Sequence, residues 1–198
     1  MSTPASPALT AELLATVRHG FRSYQALADK ALAQLTPAEW LWCSEPNANC
    51  AAVIVQHLTG NLRSRFTDFW TADGEKADRH RDQEFEAPAT ADAVPALQQQ
   101  WQAAWPLLWR VLDHLEQHPA DWLRPVTIRQ ERHSALSALQ RQLTHYAYHA
   151  GQLVLLAKTL RGANWHTLSI ARGQSEQFNA QMRAQHTPAA NLGPGSGV

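Results

Sequence analysis

Cysteine is scarce in this sequence, which also lacks an excess of charge of either sign and any long apolar run. The two cysteines, Cys43 and Cys50, form no Cys-x-x-Cys motif, which argues against a structural zinc knuckle and a thioredoxin-type site. Lys plus Arg and Asp plus Glu each total 17, so the chain has no positive excess with which to attract nucleic acid or an anionic membrane. No apolar run approaches the roughly 18 residues of a membrane-spanning helix.

The N-terminal residues have no basic segment followed by an apolar one, so they do not resemble a signal peptide. Together with the few cysteines, this absence predicts a reduced, cytoplasmic protein without a membrane or nucleic-acid partner. The length of 198 residues fits one domain. We expect this domain over residues 1–186 and a disordered tail over residues 187–198, where Pro, Gly, Ala and Ser are frequent.

Apolar residues recur at helical spacing in four long segments, and the alternation typical of strands is nearly absent. We therefore expect an all-α four-helix bundle, with a short fifth helix over residues 175–184. Asn49 is expected to cap the second helix, and the connection over residues 121–132 to be extended in places. Residues 73–86 are highly charged, which favours a solvated loop, with a lid over a pocket as the alternative. The four long helices are predicted over residues 10–35, 50–70, 91–117 and 134–160.

The most informative motif is a pair of histidines, His145 and His149, in the fourth of these helices. Residues four apart lie on one face of a helix, and this face also carries Ala138, Leu153 and Leu156. Imidazoles that point towards a core need polar partners, and a divalent metal would satisfy both rings. The competing interpretation is a surface pair, or two core histidines that form ordinary hydrogen bonds.

A third ligand is expected from a neighbouring helix, because bundles build metal sites from facing helices. His57 is the best choice, since it lies beside an apolar face in the middle of the second helix. Alternatively, His57 is an ordinary core residue whose ring is satisfied by a carbonyl oxygen. Three histidines would suit zinc, nickel, copper or iron, and they would leave a coordination position open for water or substrate.

Two observations limit this interpretation. His114 and His118 are also four residues apart, but they lie away from the apolar face of their helix, so we expect them to be solvated. The sequence contains no His-Glu-x-x-His motif, because Tyr146 follows His145 where a zinc protease has its glutamate. This difference argues against peptide hydrolysis.

Three polar side chains are expected near the histidines. Asn61 and Arg65 follow His57 by one and two helical turns, so both would line a pocket beside it. An arginine there could bind a carboxylate or a thiolate, but pairing with Asp68 on the surface is the interpretation favoured for Arg65, because exposed pairs are common. Gln152 would accept a hydrogen bond from one of the imidazoles. The sequence assigns no catalytic residue.

His57 and the motif His145-Tyr-Ala-Tyr-His149-Ala-Gly-Gln152 resemble those of the DinB/YfiT-like superfamily, in which the last motif commonly reads His-x-x-x-His-Arg-Gly-Gln. Ala150 replaces the arginine here, which removes a pocket cation but no metal ligand. The resemblance covers residues 10–179. Within it, the segments 52–69, 73–76, 79–86 and 172–175 are similar to an uncharacterised bacterial subgroup.

The resemblance implies a bundle with up-down-down-up connectivity and a metal ion, usually zinc or nickel, bound by His57, His145 and His149. It also implies a homodimer and a small-molecule substrate. Better-known relatives use the metal to activate a low-molecular-weight thiol for transfer to an electrophile, or isomerise thiol adducts, which implies detoxification chemistry. The alternative is a non-catalytic stress-response or structural module, in which the metal serves stability or sensing.

Overall fold

The computed structural model describes residues 6–186, and the chain divides into two compact units, residues 1–165 and 166–198. Helices dominate the described residues, which also contain one small two-stranded sheet. The predicted helical class is therefore confirmed, with a small sheet added to it. The expected disordered segment 187–198 lies outside the described residues, and a single domain over residues 1–186 stays a prediction.

The first unit contains five α-helices within the described residues, and the four long ones correspond to the four predicted segments. The second long helix ends at Phe66 rather than near residue 70, because Thr67 has an extended backbone with φ −71° and ψ 128°. Its N-cap is Cys50 instead of the expected Asn49, and the cap has no side-chain hydrogen bond. The helices are α1 (Pro7–Leu32), α2 (Pro37–Trp40), α3 (Ala51–Phe66), α4 (Val94–Gln117) and α5 (Ala135–Arg161).

Tyr146 of α5 lies where the four long helices meet. Its ring makes edge-to-face contacts with Phe21 of α1 and Trp105 of α4, with 5.7 Å between the ring centroids in both cases. Its hydroxyl donates a 2.9 Å hydrogen bond to Oδ1 of Asn61 in α3. Each aromatic pair of this kind adds about 0.5–1.5 kcal/mol beyond the area that it buries. The residue next to His145 is thus held in the core, and it positions α5 against α3.

A β-hairpin connects α4 to α5, in the region where an extended connection was expected. Its strands, β1 (Pro125–Ile128) and β2 (Glu131–Ser134), pair antiparallel. The turn residues Arg129 and Gln130 have positive φ angles of 55° and 65°, as in a type I′ turn. Their backbone N–H groups donate to the carboxylate of Asp73 at 2.8 and 2.7 Å. Asp73 therefore fastens the segment after α3 to the hairpin that precedes α5.

The second unit contains α6 (Ser175–His186), which matches the fifth helix predicted over residues 175–184. No residue of α6 is buried, as expected for a helix in which polar side chains predominate. Neither α6 nor any other helix within residues 6–186 has the combination of length and hydropathy that a transmembrane segment needs.

Candidate metal centre

Two helices of the first unit present the three predicted histidines to one another. His57 lies in the middle of α3, and His145 and His149 lie four residues apart in α5. His57 and His149 are buried, with exposed fractions of 5% and 6%, and His145 is partly buried. Both helices turn their apolar faces to the core, so histidines on those faces come together inside the unit.

The Nε2 atoms of the three rings converge. Nε2 of His145 lies 3.1 Å from Nε2 of His57 and 3.1 Å from Nε2 of His149. Three potential ligand atoms, one from each ring, all lie within 4.8 Å of one another. Tetrahedral zinc, with Zn–N bonds of about 2.0–2.1 Å, separates its ligand nitrogens by about 3.3 Å. Two of the three separations are close to that value and the third is at most 4.8 Å, so these three residues could hold a divalent ion.

Hydrogen bonds on the far edges of two rings orient them towards this point. Nδ1 of His57 lies 3.0 Å from Oε2 of Glu84, and Nδ1 of His149 lies 2.7 Å from Oε1 of Gln152. Both oxygens are acceptors, so each Nδ1 carries a proton, and the neutral ring then presents a lone pair at Nε2. Gln152 thus accepts a hydrogen bond from an imidazole, as its spacing predicted.

The surroundings of the third ring, that of His145, favour a cation at the site. Its Nδ1 is buried, and no hydrogen-bond partner reaches that atom within residues 6–186. If Nδ1 carries the proton, three Nε2 lone pairs face one another. If Nε2 carries it, the buried lone pair on Nδ1 has no donor. A metal ion at the Nε2 atoms removes the repulsion between lone pairs, because neutral imidazole is a good ligand for zinc and nickel. The donor set therefore fits a divalent metal.

Burial keeps the two α5 histidines neutral. Burial, followed by repulsion from His149 and His57, lowers the pKa of His145 to about 3. Burial likewise lowers the pKa of His149 to about 4, although its hydrogen bond with Gln152 acts in the opposite direction. Neutral imidazole is the form that binds a metal, so both rings are ready to ligate at neutral pH.

Glu84, which accepts the hydrogen bond from His57, follows α3 and precedes α4 in the sequence. A buried arginine holds its carboxylate in place. Nε and Nη2 of Arg79 donate to the two carboxylate oxygens, both at 2.7 Å. Burial alone would raise the pKa of Glu84, but hydrogen bonds from His57 and Arg79 outweigh it and lower the pKa overall. Glu84 is therefore an ionised acceptor. Gly60 provides the space, because a Cβ there would collide with this carboxylate.

A cavity of about 170 Å³ lies beside the histidines, and we call it the site cavity. Its wall includes His57 and His145 together with Asn61 and Arg65, the two residues of α3 that were expected to line a pocket. Gln152 lies instead behind the ring of His149. A small molecule in the site cavity would therefore lie against two of the three histidines.

Arg65 has a different ionic partner from the one considered in the sequence. The favoured interpretation, a surface pair with Asp68, is wrong, because Arg65 is buried and its Nη2 lies 3.0 Å from Oε2 of Glu75. Nη1 of Arg65 also donates to the carbonyl oxygen of Gly74. The side chain is thus anchored in the wall of the site cavity rather than on the surface.

The family model described as "Protein of unknown function (DUF1572)" matches residues 8–174. The chain belongs to this family. No curated protein and no solved structure matches the chain. The matched residues include all three histidines, but the description of the family assigns no activity. The function of this DUF1572 protein therefore has to be argued from its site.

Two residues that organise the site of this DUF1572 chain, Glu84 and Arg79, were not expected from the sequence. Both lie in the segment 73–86, for which a solvated loop was favoured, yet the side chain of Arg79 is only 5% exposed. Phe85 was the available signal, since one aromatic residue among charges indicates a segment that packs inward. Its ring centroid lies 4.8 Å from that of His57.

The second histidine pair of the DUF1572 chain behaves as an internal control. The rings of His114 and His118 stack with centroids 4.3 Å apart, and Nε2 of His114 lies 2.7 Å from Oδ2 of Asp121. Neither residue belongs to a group of three potential metal ligands among the residues that the structure describes. A spacing of four residues is therefore not sufficient for a metal site. The two histidines must also lie on the face of the helix that points into the core.

Proposed function

We propose that this DUF1572 protein binds a divalent metal through His57, His145 and His149 and uses it to act on a small molecule. The convergence of three Nε2 atoms supports this proposal, together with the Nδ1 hydrogen bonds to Glu84 and Gln152. When bound, such a metal acts as a Lewis acid that lowers the pKa of a ligated water or thiol. Three protein ligands leave one coordination position for that group.

The residues around the histidines would keep the ligands in position. Glu84 and Gln152 accept the Nδ1 protons of His57 and His149, so the two rings cannot rotate away from the site without losing a hydrogen bond. Tyr146 anchors the backbone next to His145 in the core. The ligands are thus held before any ion arrives, which reduces the ordering cost of binding.

We also propose membership of the DinB/YfiT-like superfamily, with an up-down-down-up four-helix bundle and with zinc or nickel as the metal. The packing of α1 against α4 and α5, and of α3 against α4 and α5, supports a bundle. The homodimer follows from the resemblance alone. The free thiols of Cys43 and Cys50 support a reducing compartment such as the cytoplasm.

The reaction that we propose is thiol-dependent transfer to an electrophile, or a related detoxification step with a small-molecule substrate. The site cavity supports an enzyme over a non-catalytic metal-binding module. A metal that serves structure alone is normally enclosed by four protein ligands, whereas three histidines meet here and two of them line a cavity.

Elemental analysis of the purified protein tests the metal site. We expect about one zinc or nickel ion per chain, and loss of most of it in His57→Ala, His145→Ala and His149→Ala. His114→Ala is the matched control and should retain the metal, since His114 also belongs to a pair spaced by four. A wild-type protein that takes up neither metal after reconstitution, or equal metal content in all four variants, would refute the site.

Thiol consumption tests the reaction. The zinc- and nickel-loaded proteins are mixed with a low-molecular-weight thiol and an epoxide or haloaromatic acceptor. We expect consumption that depends on the metal and is lost in His149→Ala. If the loaded protein consumes no thiol with any acceptor, yet unfolds more easily when the metal is removed, the non-catalytic module is the better description.

A further inference from the structure

Positive charge is concentrated in the wall of the site cavity. Five arginines and no carboxylate line it. The arginines come from four parts of the chain that the fold brings together, namely α3, the segment before α4, the turn of the hairpin, and α5. They are Arg65, Arg79, Arg81, Arg129 and Arg141.

Two glutamates outside the cavity wall neutralise part of this charge. Glu75 accepts from Arg65 at 3.0 Å and from Arg129 at 2.9 Å. Glu84 accepts two hydrogen bonds from Arg79 and one from a histidine. Two carboxylates therefore serve three of the five arginines, and the cavity keeps a positive excess.

The other two arginines are the ones that a ligand could engage. Arg81 lies 3.9 Å from the fully exposed carboxylate of Asp82, a contact that contributes little in water. The guanidinium of Arg141 makes neither an ion pair nor a hydrogen bond with any residue that the structure describes. It precedes His145 by one turn of α5, on the same helical face. A free guanidinium thus adjoins the histidine site.

Gln142 is a second, independent indication of a ligand. Only 3% of its surface is exposed, and its Oε1 is buried without a hydrogen-bond partner among residues 6–186. A buried amide without a partner destabilises the fold, and an apolar residue of similar size would avoid this cost. Gln142 lines the site cavity, where an anionic oxygen could accept from its amide N–H group and a hydroxyl of the same ligand could donate to the unpartnered Oε1.

We propose that the site cavity binds the anionic group of a small molecule, a carboxylate or a phosphate, through the guanidinium groups of Arg141 and Arg81 and the amide N–H group of Gln142. Guanidinium groups bind both kinds of anion through paired N–H donors. The volume of about 170 Å³ is below the roughly 300–1,000 Å³ of pockets that enclose drug-sized ligands. The site cavity is therefore sized for the head group of a substrate rather than for a large molecule.

This proposal names the substrate class of the proposed function, and it rests on that function only for the position of the metal. His57 and His145 share the wall of the site cavity with the arginines. An anion held by Arg141 would therefore carry its reactive part next to the histidines. The anion site itself consists of groups other than the three metal ligands.

Isothermal titration with succinate and with inorganic phosphate tests the anion site and separates carboxylate from phosphate recognition. Succinamide, which is neutral, is the negative probe, and the full-length protein is used both zinc-loaded and metal-free. We expect Arg141→Gln to weaken binding of the preferred anion about tenfold, as for the loss of one charge-assisted hydrogen bond. Arg110→Gln is the matched control, because Arg110 is exposed on α4 and does not line the cavity.

Gln142→Leu distinguishes ligand recognition from a structural role. We expect weaker anion binding together with an unchanged or higher melting temperature, since the variant removes an unpartnered polar atom. Failure of both anions to bind below about 10 mM, or equal weakening in the Arg141 and Arg110 variants, would overturn the inference. Anion binding by a protein that takes up no metal would support the cavity and count against the proposed metal function instead.

Discussion

A single carboxylate orients His57. Because Glu84 accepts the Nδ1 proton at 3.0 Å, removing it in Glu84→Ala leaves the ring free to turn and to change tautomer. We expect zinc affinity to fall by about 10- to 100-fold, the usual effect of deleting an acceptor behind a ligating histidine. Competition with a chromophoric chelator measures this change.

Glu86→Ala is the matched control for that variant. Glu86 lies two residues away and is exposed, so its removal alters the local charge equally without touching the ring. Equal zinc affinities in the two variants would show that Glu84 acts only through its charge. The zinc affinity of Glu84→Gln should lie between those of the two alanine variants. Its amide oxygen still accepts the Nδ1 proton of His57, but its amide nitrogen cannot accept a hydrogen bond from Arg79.

Single residues were predictable here where the signal was local. The spacing of His145 and His149, and the apolar face on which they lie, indicated a site because both properties follow from helix geometry. Glu84 could not be found in this way, since it meets His57 across 27 positions of sequence and through an irregular segment. Arg65 shows the same limit. Asp68 is the nearer carboxylate in the sequence, but the fold brings Glu75 to Arg65, and Glu75 forms the ion pair.

At the level of the helix, the glycine at position 60 lowers the stability of α3 but lets the carboxylate of Glu84 approach the helix closely. An alanine normally favours a helix by about 0.5–1 kcal/mol over glycine, but a Cβ at residue 60 would collide with the carboxylate of Glu84. We expect Gly60→Ala to displace Glu84 and to weaken zinc binding, with little or no gain in the free energy of unfolding of the metal-free protein. Urea unfolding and chelator competition measure the two effects.

Gly151 in α5 offers the matched control. A Cβ built there meets no atom within 4 Å, so Gly151→Ala should raise the unfolding free energy by about 0.5–1 kcal/mol and leave zinc affinity unchanged. If both variants gain the same stability and bind zinc equally, then the close approach of Glu84 to α3 has no role in the site.

The elements themselves divide into those that could be predicted and those that could not. The long helices followed from apolar periodicity, which is a local property. The hairpin was not predicted as a sheet because its strands have four residues each, and only β1 alternates between exposed and buried residues whereas β2 does not. It is positioned by Asp73, a residue that follows α3 and binds the backbone of the turn.

For the molecule as a whole, the buried histidines couple folding to pH. In the folded, metal-free protein the pKa values of His145 and His149 are about 3 and about 4, below the ordinary value of 6.5. Between these values the unfolded chain binds protons that the folded chain does not bind, so stability decreases as the pH falls through this window. We expect the metal-free protein to be less stable at about pH 5 than at about pH 7.

Urea unfolding of the metal-free wild type and of a His145→Asn/His149→Asn variant at both pH values measures this coupling. The variant lacks the two titrating groups, so acidification should cost it less stability than it costs the wild type. Equal losses in the two proteins would mean that these histidines do not make folding depend on pH.

For the molecule as a whole, composition leads mainly to expected exclusions, which stay predictions. The balanced charge argues against nucleic acid as a partner, but it conceals the five arginines that gather in one cavity. Net charge averages over the chain, whereas recognition depends on where the fold places each charge. The anion site therefore became visible only when α3, α5, the hairpin and the segment between α3 and α4 were seen together.

The histidines that meet at the metal centre are far apart along the chain, since 88 positions separate His57 from His145. An ion bound to both would act as a cross-link that closes this long loop and restricts the unfolded chain. The ion itself could enter and leave through the site cavity that His57 and His145 line, without separation of α3 from α5. Because the unfolded chain lacks the assembled site, bound metal should raise the free energy of unfolding, and the gain should grow with the concentration of free metal.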